Sequence, residues 1–84
     1  MENARHYEAT LAKWLLQIRE EKGLSQEALG VQLGKGQSDI AKIESGSKRV
    51  SVIELIAWMV ALDIPFERTQ EPLEVIYIGM SNKN

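Results

Sequence analysis

The amino-acid sequence predicts an all-α fold: a compact unit of four helices, followed by one short β-strand near the C-terminus. Three observations predict it. Apolar residues recur at spacings of three and four through most of the chain, the period of an amphipathic helix. Glycines and helix-capping residues interrupt that pattern at short intervals. A single block, LEVIYIG from Leu73 to Gly79, is β-branched and aromatic enough for a strand.

The first helix is expected from about Glu2 to Lys22. Tyr7, Leu11, Trp14, Leu15 and Ile18 form its apolar face, and Gly23 is its stop. Leu16 lies off that face. A second helix opens at Ser25, a good N-cap, carries Leu29 and Leu33, and ends at Gly34. The third spans roughly Gln37 to Glu44, with Ile40 and Ile43 inward and Gly46 closing it. SVIE, Ser51 to Glu54, is a capping box that opens the fourth, which runs to about Leu62 before Pro65 forbids more. Val52, Leu55, Ile56, Met59 and Leu62 are its expected core face. Trp14 and Trp58 suit the core better than they suit base stacking. Met80 to Asn84 is expected to fray.

Composition narrows the function. The 84 residues make one small domain, near the lower limit of what a single core stabilises. There is no Cys, which excludes disulfides and points to a reducing, cytoplasmic setting. One His, His6, cannot build an ordinary metal site. No paired carboxylates or nucleophile–base set is apparent, so neither an enzyme nor a cofactor is expected. No apolar run is long enough to span a membrane. A partner subunit remains as the stabilising device. The net charge of −2 and pI near 5.4 weigh mildly against nucleic acid, until charge is placed.

The segment GKGQSDIAKIESG, Gly34 to Gly46, raises the functional question. It is not a phosphate-binding P-loop, which requires a preceding strand and a Lys after its second glycine. Two short helices around a glycine-containing turn form a helix-turn-helix signature. Gly30 falls where the second and third helices approach closest, so a side chain larger than methyl would separate them. Leu29, Leu33, Ile40 and Ile43 would fix the angle that lets the third helix enter a major groove.

Several features coincide in register: Arg19, Gly23-Leu24-Ser25-Gln26, Gly34, Gln37-Ser38, Ile40 and Glu44-x-Gly46. Over roughly Leu15 to Ile64 the chain resembles the phage repressor and Cro family, the XRE-like regulators. That resemblance implies a repressor-like DNA-binding domain and a role for each matching position. Gln26 is implied to bond a phosphate. Gln37 and Ser38 are implied to meet base edges, and Lys42 a guanine or phosphate. Ser45, with the amides near Gly46, and Lys48 and Arg49 are implied to grip further phosphates, and Lys35 to lie beside the DNA backbone. Arg19 and Glu44 resemble the pair that ties the first helix to the end of the third. Asp39 stands where small hydroxyl residues are common. It either accepts from a cytosine amino group or bonds near the helix N-terminus, and the dipole favours the second.

Between Ser25 and Ser51 the cations Lys35, Lys42, Lys48 and Arg49 face Glu27, Asp39 and Glu44, so the expected DNA face is weakly positive on an acidic body. Residues 1–66 are assigned to the helix-turn-helix DNA-binding domain and 67–84 to a linker, the strand and the tail. Arg68, Thr69 and Pro72 do not support the fifth helix common in the family. Ile53, Ala57 and Val60 make a second apolar stripe on the fourth helix, which calls for a cover. A lone strand leaves its backbone unpaired, so Val75, Ile76, Tyr77 and Ile78 are expected to pair with a second copy across a two-fold axis. The function expected is a dimeric repressor of an inverted-repeat operator in double-stranded DNA. The alternatives are an antitoxin that also binds a toxin, or an interaction module that has lost DNA binding.

Overall fold

The structure, a computed structural model, describes residues 2–82. Five α-helices follow one another: α1 (Glu2–Glu21), α2 (Gln26–Leu33), α3 (Gln37–Glu44), α4 (Val52–Leu62) and α5 (Gln70–Ser81), with a 3-10 turn at Phe66–Thr69 before the last. The local chemistry of α1 to α4 is as the sequence requires. Ser25 Oγ accepts from Ala28 N at 3.0 Å at the start of α2. Gly34 ends α2 in the left-handed region, with φ of 67°. At α4 the capping box is complete: Glu54 N donates to Ser51 Oγ at 3.0 Å, and Ser51 N donates to Glu54 Oε1 at 2.9 Å. The stop of α4 is Asp63 rather than Pro65. Asp63 takes φ of 56°, a conformation that Asp tolerates better than most residues.

The core is one cluster of Trp14, Leu15, Ile18, Leu29, Ile40, Ile43, Leu55, Trp58, Met59, Leu62 and Ile64. Both tryptophans are in it. Trp58 is fully buried, and its indole N–H donates to the Leu15 carbonyl at 3.2 Å. That indole decides the facing of α4. Leu55, Trp58, Met59 and Leu62 point inward, whereas Val52 and Ile56, expected in the core, are exposed. Seating the indole buries on the order of 200 Å², more than either displaced residue offers.

The C-terminal segment departs from expectation. Leu73 to Gly79 is not a strand; it lies within α5, and among the described residues there is no strand at all. A helix satisfies its own backbone, whereas an isolated strand does not. Pro72 is the third residue of α5, where an N–H would have no intrahelical acceptor, so it does not oppose the helix. Thr69 and Arg68 act in its favour. Thr69 Oγ1 donates to the Phe66 carbonyl at 2.7 Å. Arg68 donates to Glu21 on α1 at 2.7 and 3.1 Å and to Glu71 on α5 at 2.9 and 3.2 Å. The helix lies on α1: Pro72 is buried, and Gly79 sits against Tyr7 so closely that a Cβ there would come within 2.7 Å of the phenol oxygen. Val75, Ile76, Tyr77 and Ile78 therefore span a full helical turn and cannot pair edge to edge. Of the expected frayed tail, Met80 and Ser81 complete α5; Lys83 and Asn84 lie outside the described residues.

Candidate nucleic-acid interface

The angle between α2 and α3 is set by backbone contact as much as by side chains. Gly30 is buried in α2, and a Cβ built on it would fall 2.6 Å from the Lys35 carbonyl oxygen. Even a methyl group is therefore excluded, a tighter limit than the sequence suggested. Lys35 N donates to the Gly30 carbonyl at 2.8 Å across the same approach. Ile40 and Ile43 anchor the inner side of α3 in the core, while Gln37, Ser38 and Lys42 are exposed on its outer side.

Behind that outer face runs a chain of polar contacts. Arg19 and Glu44 are both buried and form a bidentate pair, Nε to Oε2 at 2.6 Å and Nη2 to Oε1 at 3.0 Å. The hydrogen bond to Glu44 raises the pKa of the Arg19 guanidinium, against the opposing effect of burial. Arg19 Nη1 also donates to the Leu24 carbonyl at 2.7 Å, which ties down the α1–α2 turn. Gln26 Nε2 donates to Glu44 Oε1 at 3.0 Å, and Gln37 Nε2 donates to Gln26 Oε1 at 2.6 Å. The expected tie between Arg19 and Glu44 is thus present, and it extends outward through Gln26 to Gln37. Sequence spacing alone gave no sign of that extension.

The remaining predicted residues divide into free and engaged. Lys42 and Lys48 are exposed and form no ion pair among the described residues. Lys35 is drawn inward: its Nζ lies 3.2 Å from Glu54 Oε2. Arg49, exposed on the surface, pairs with Glu8 at 3.0 Å. The Glu54 carboxyl is held below its ordinary value, first by the Ser51 N–H and then by Lys35. Ser45 and Gly46 use their amides internally, bonding the carbonyls of Ala41 at 2.9 Å and Ile43 at 3.1 Å, so neither amide is spare for a phosphate. The Ser45 hydroxyl meets the Lys42 carbonyl at 3.1 Å and the Ser47 hydroxyl at 2.8 Å. Asp39 is half-buried and its carboxylate makes no hydrogen bond among the described residues; the N-cap of α3 is Gly36, which has no side chain to bond with. The hydrogen-bonded cap expected of Asp39 is absent, and only the helix dipole favours its charge there.

The family described as Helix-turn-helix matches residues 15–68. The chain belongs to that family, in its Cro-type, XRE-like branch. A crystal structure of the restriction-modification controller protein C.AhdI from Aeromonas hydrophila is similar to it, at 34% identity and a TM-score of 0.64, over 71% of this chain and 90% of that one. No curated protein matches. Membership makes the chain a DNA-binding transcriptional regulator. In helix-turn-helix terms, α2 is the first helix of the motif and α3 the second.

Outside the helix-turn-helix, much apolar surface is open. Ile53, Ile56 and Val60 on α4 and Leu73, Tyr77, Ile78 and Met80 on α5 are exposed, as is Phe66 between the two helices. The α4 stripe was legible in the sequence; the α5 stripe was hidden by its assignment to a strand. Among the described residues no group of side chains could hold a metal, and no helix is long and apolar enough to cross a membrane.

Proposed function

We propose that the chain acts as a homodimeric, sequence-specific regulator that inserts α3 into the major groove of an inverted-repeat operator. One observation carries it: Gln37, Ser38 and Lys42 stand exposed on the outer side of α3, whose inner side is locked into the core by Ile40 and Ile43. Gln37 and Ser38 meet base edges, and a bidentate Gln–adenine contact is worth about 1–3 kcal/mol of discrimination. Lys42 and Lys48 neutralise phosphates. The likeness to a restriction-modification controller protein makes control of such a system the first regulatory role to examine. Sequences selected from a random DNA pool at moderate salt should yield an inverted repeat with half-sites about 34 Å apart. Absence of enrichment at any salt concentration would sink the proposal.

The dimer forms through helical faces, not strands. Stripes of Ile53, Ala57 and Val60 on α4 and of Leu73, Tyr77 and Met80 on α5 supply apolar surface that a second copy would cover. Light scattering on the intact chain should give twice the monomer mass. Val60→Glu or Tyr77→Glu should shift it toward monomer, according to which stripe is covered. A wild-type chain that stays monomeric at high concentration would remove the dimer from the account.

A further inference from the structure

We infer that Glu44, although buried and away from the outer face of α3, sets which base Gln37 accepts, by fixing the polarity of a side-chain hydrogen-bond relay. This rests on the proposal that Gln37 meets a base edge. Arg19 has only donors, and two of its nitrogens occupy the Glu44 carboxylate at 2.6 and 3.0 Å. That carboxylate can only accept. The Gln26 atom 3.0 Å from Oε1 must therefore be the amide nitrogen. The Gln26 oxygen is then turned toward Gln37, 2.6 Å away, and it too can only accept. Gln37 must meet it with its own amide nitrogen. The polarity of both amides thus follows from the donors and acceptors alone.

The consequence appears at the far end. With one N–H committed to Gln26, Gln37 offers DNA one N–H and its carbonyl oxygen. One donor and one acceptor complement adenine, which presents N7 and the N6 amino group in the major groove. Guanine presents two acceptors, N7 and O6, and asks for two donors that Gln37 no longer has. Glu44 is in these terms a positioning residue: it never touches DNA, yet its inability to donate reaches the base through two amides.

Glu44→Gln reverses the relay. Arg19 Nε makes the shorter bond, 2.6 Å to Oε2, so the new amide keeps its oxygen there; its nitrogen takes the Oε1 position, gives up the 3.0 Å bond from Arg19 Nη2 and donates to Gln26. Gln26 then flips, Gln37 flips, and both Gln37 N–H groups are left for DNA. Gln26→Ala cuts the relay while leaving the Arg19–Glu44 pair in place, which keeps a test available if Glu44→Gln does not fold. The experiment is competition binding by the full chain to the selected operator and to its three variants at the position whose preference changes in Gln37→Ala. The adenine-to-guanine affinity ratio there should fall about tenfold in Glu44→Gln and in Gln26→Ala, the equivalent of one lost base contact. A uniform loss of affinity with an unchanged ratio in the folded variants overturns the relay while leaving base reading by Gln37 intact. If Gln37→Ala alters preference at no position, base reading itself fails, and the relay with it.

Discussion

The indole nitrogen of Trp14 donates to the Glu71 carboxylate at 2.8 Å, joining the core of α1 to the first turn of α5. Glu71 also receives Arg68, which in turn holds Glu21 of α1. A single guanidinium therefore fastens α5 at its base. Arg68→Ala should speed amide exchange in α5 and leave the slow amides of α2 to α4 unchanged. Because these pairs are exposed, global stability should fall by no more than about 1 kcal/mol. Arg68→Lys should not restore protection, since an ammonium has three donors and no planar fork, and cannot meet both carboxylates with two hydrogen bonds each. Equal acceleration throughout the chain would show that α5 unfolds only with the body.

Gly30→Ala should be costly for a one-carbon change, because its Cβ has only 2.6 Å to the Lys35 carbonyl. Overpacking of this kind costs about 1–3 kcal/mol, which in a domain of this size lowers Tm by roughly 5–20 °C. Affinity for the operator should fall as well, since α2 and α3 can relieve the clash only by changing their angle. Thermal unfolding with unchanged Tm would contradict the close approach.

Acid should weaken the fold through carboxylates that are held ionised. Hydrogen bonds from Arg68 lower Glu21 and Glu71 below the ordinary 4.5, and the Ser51 amide, followed by Lys35, lowers Glu54. A carboxyl whose folded value is depressed contributes its stability fully above the unfolded value and loses it as pH falls through the folded one. Stability should therefore be flat near neutrality and decline below about pH 4.5. Glu54→Ala should make that decline shallower in denaturant titrations across pH. Ser51→Ala, which removes the other half of the capping box, should cost about 1 kcal/mol.

Salt dependence should be mild for a DNA-binding protein. Lys35 and Arg49 are already paired with Glu54 and Glu8, which leaves Lys42 and Lys48. Two cations on each subunit of a dimer predict a slope of log affinity against log salt of about −4. Lys48→Ala should reduce it by about 2 units, with no change in base preference. A slope near −7 in the wild-type chain would mean that Lys35 and Arg49 leave their carboxylates for phosphate.

The first four helices were legible because their signals are local. Ser25, Ser51 with Glu54, Gly23, Gly34 and Gly46 each act within one turn of the residue they cap or stop. The fifth was not, because its state is decided elsewhere. Val75, Ile76, Tyr77 and Ile78 favour a strand, and what overrides them is the seat on Tyr7 and the grip of Arg68 on α1. The facing of α4 was misjudged for a similar reason, since Trp58 competes for the interior with Ile56. In the helix-turn-helix, the register picked out Gln37, Lys42 and Lys48, which are exposed in the fold. It did not reveal that Lys35 and Arg49 would meet acidic partners far along the chain, nor that Asp39 would make no hydrogen bond. Those facts belong to the tertiary arrangement and have no short-range pattern.

The placing of the two tryptophans equips the chain with two separate optical probes. Trp58 is sealed at the centre, its N–H bonded to the Leu15 carbonyl, and its emission should change only when the body melts. Trp14 sits at the seam with α5, its N–H bonded to an exposed carboxylate, and should respond as soon as that helix lifts. A phenylalanine at either position would leave a single emitter, so loosening of the C-terminal arm and loss of the core can be followed separately by the protein's own fluorescence.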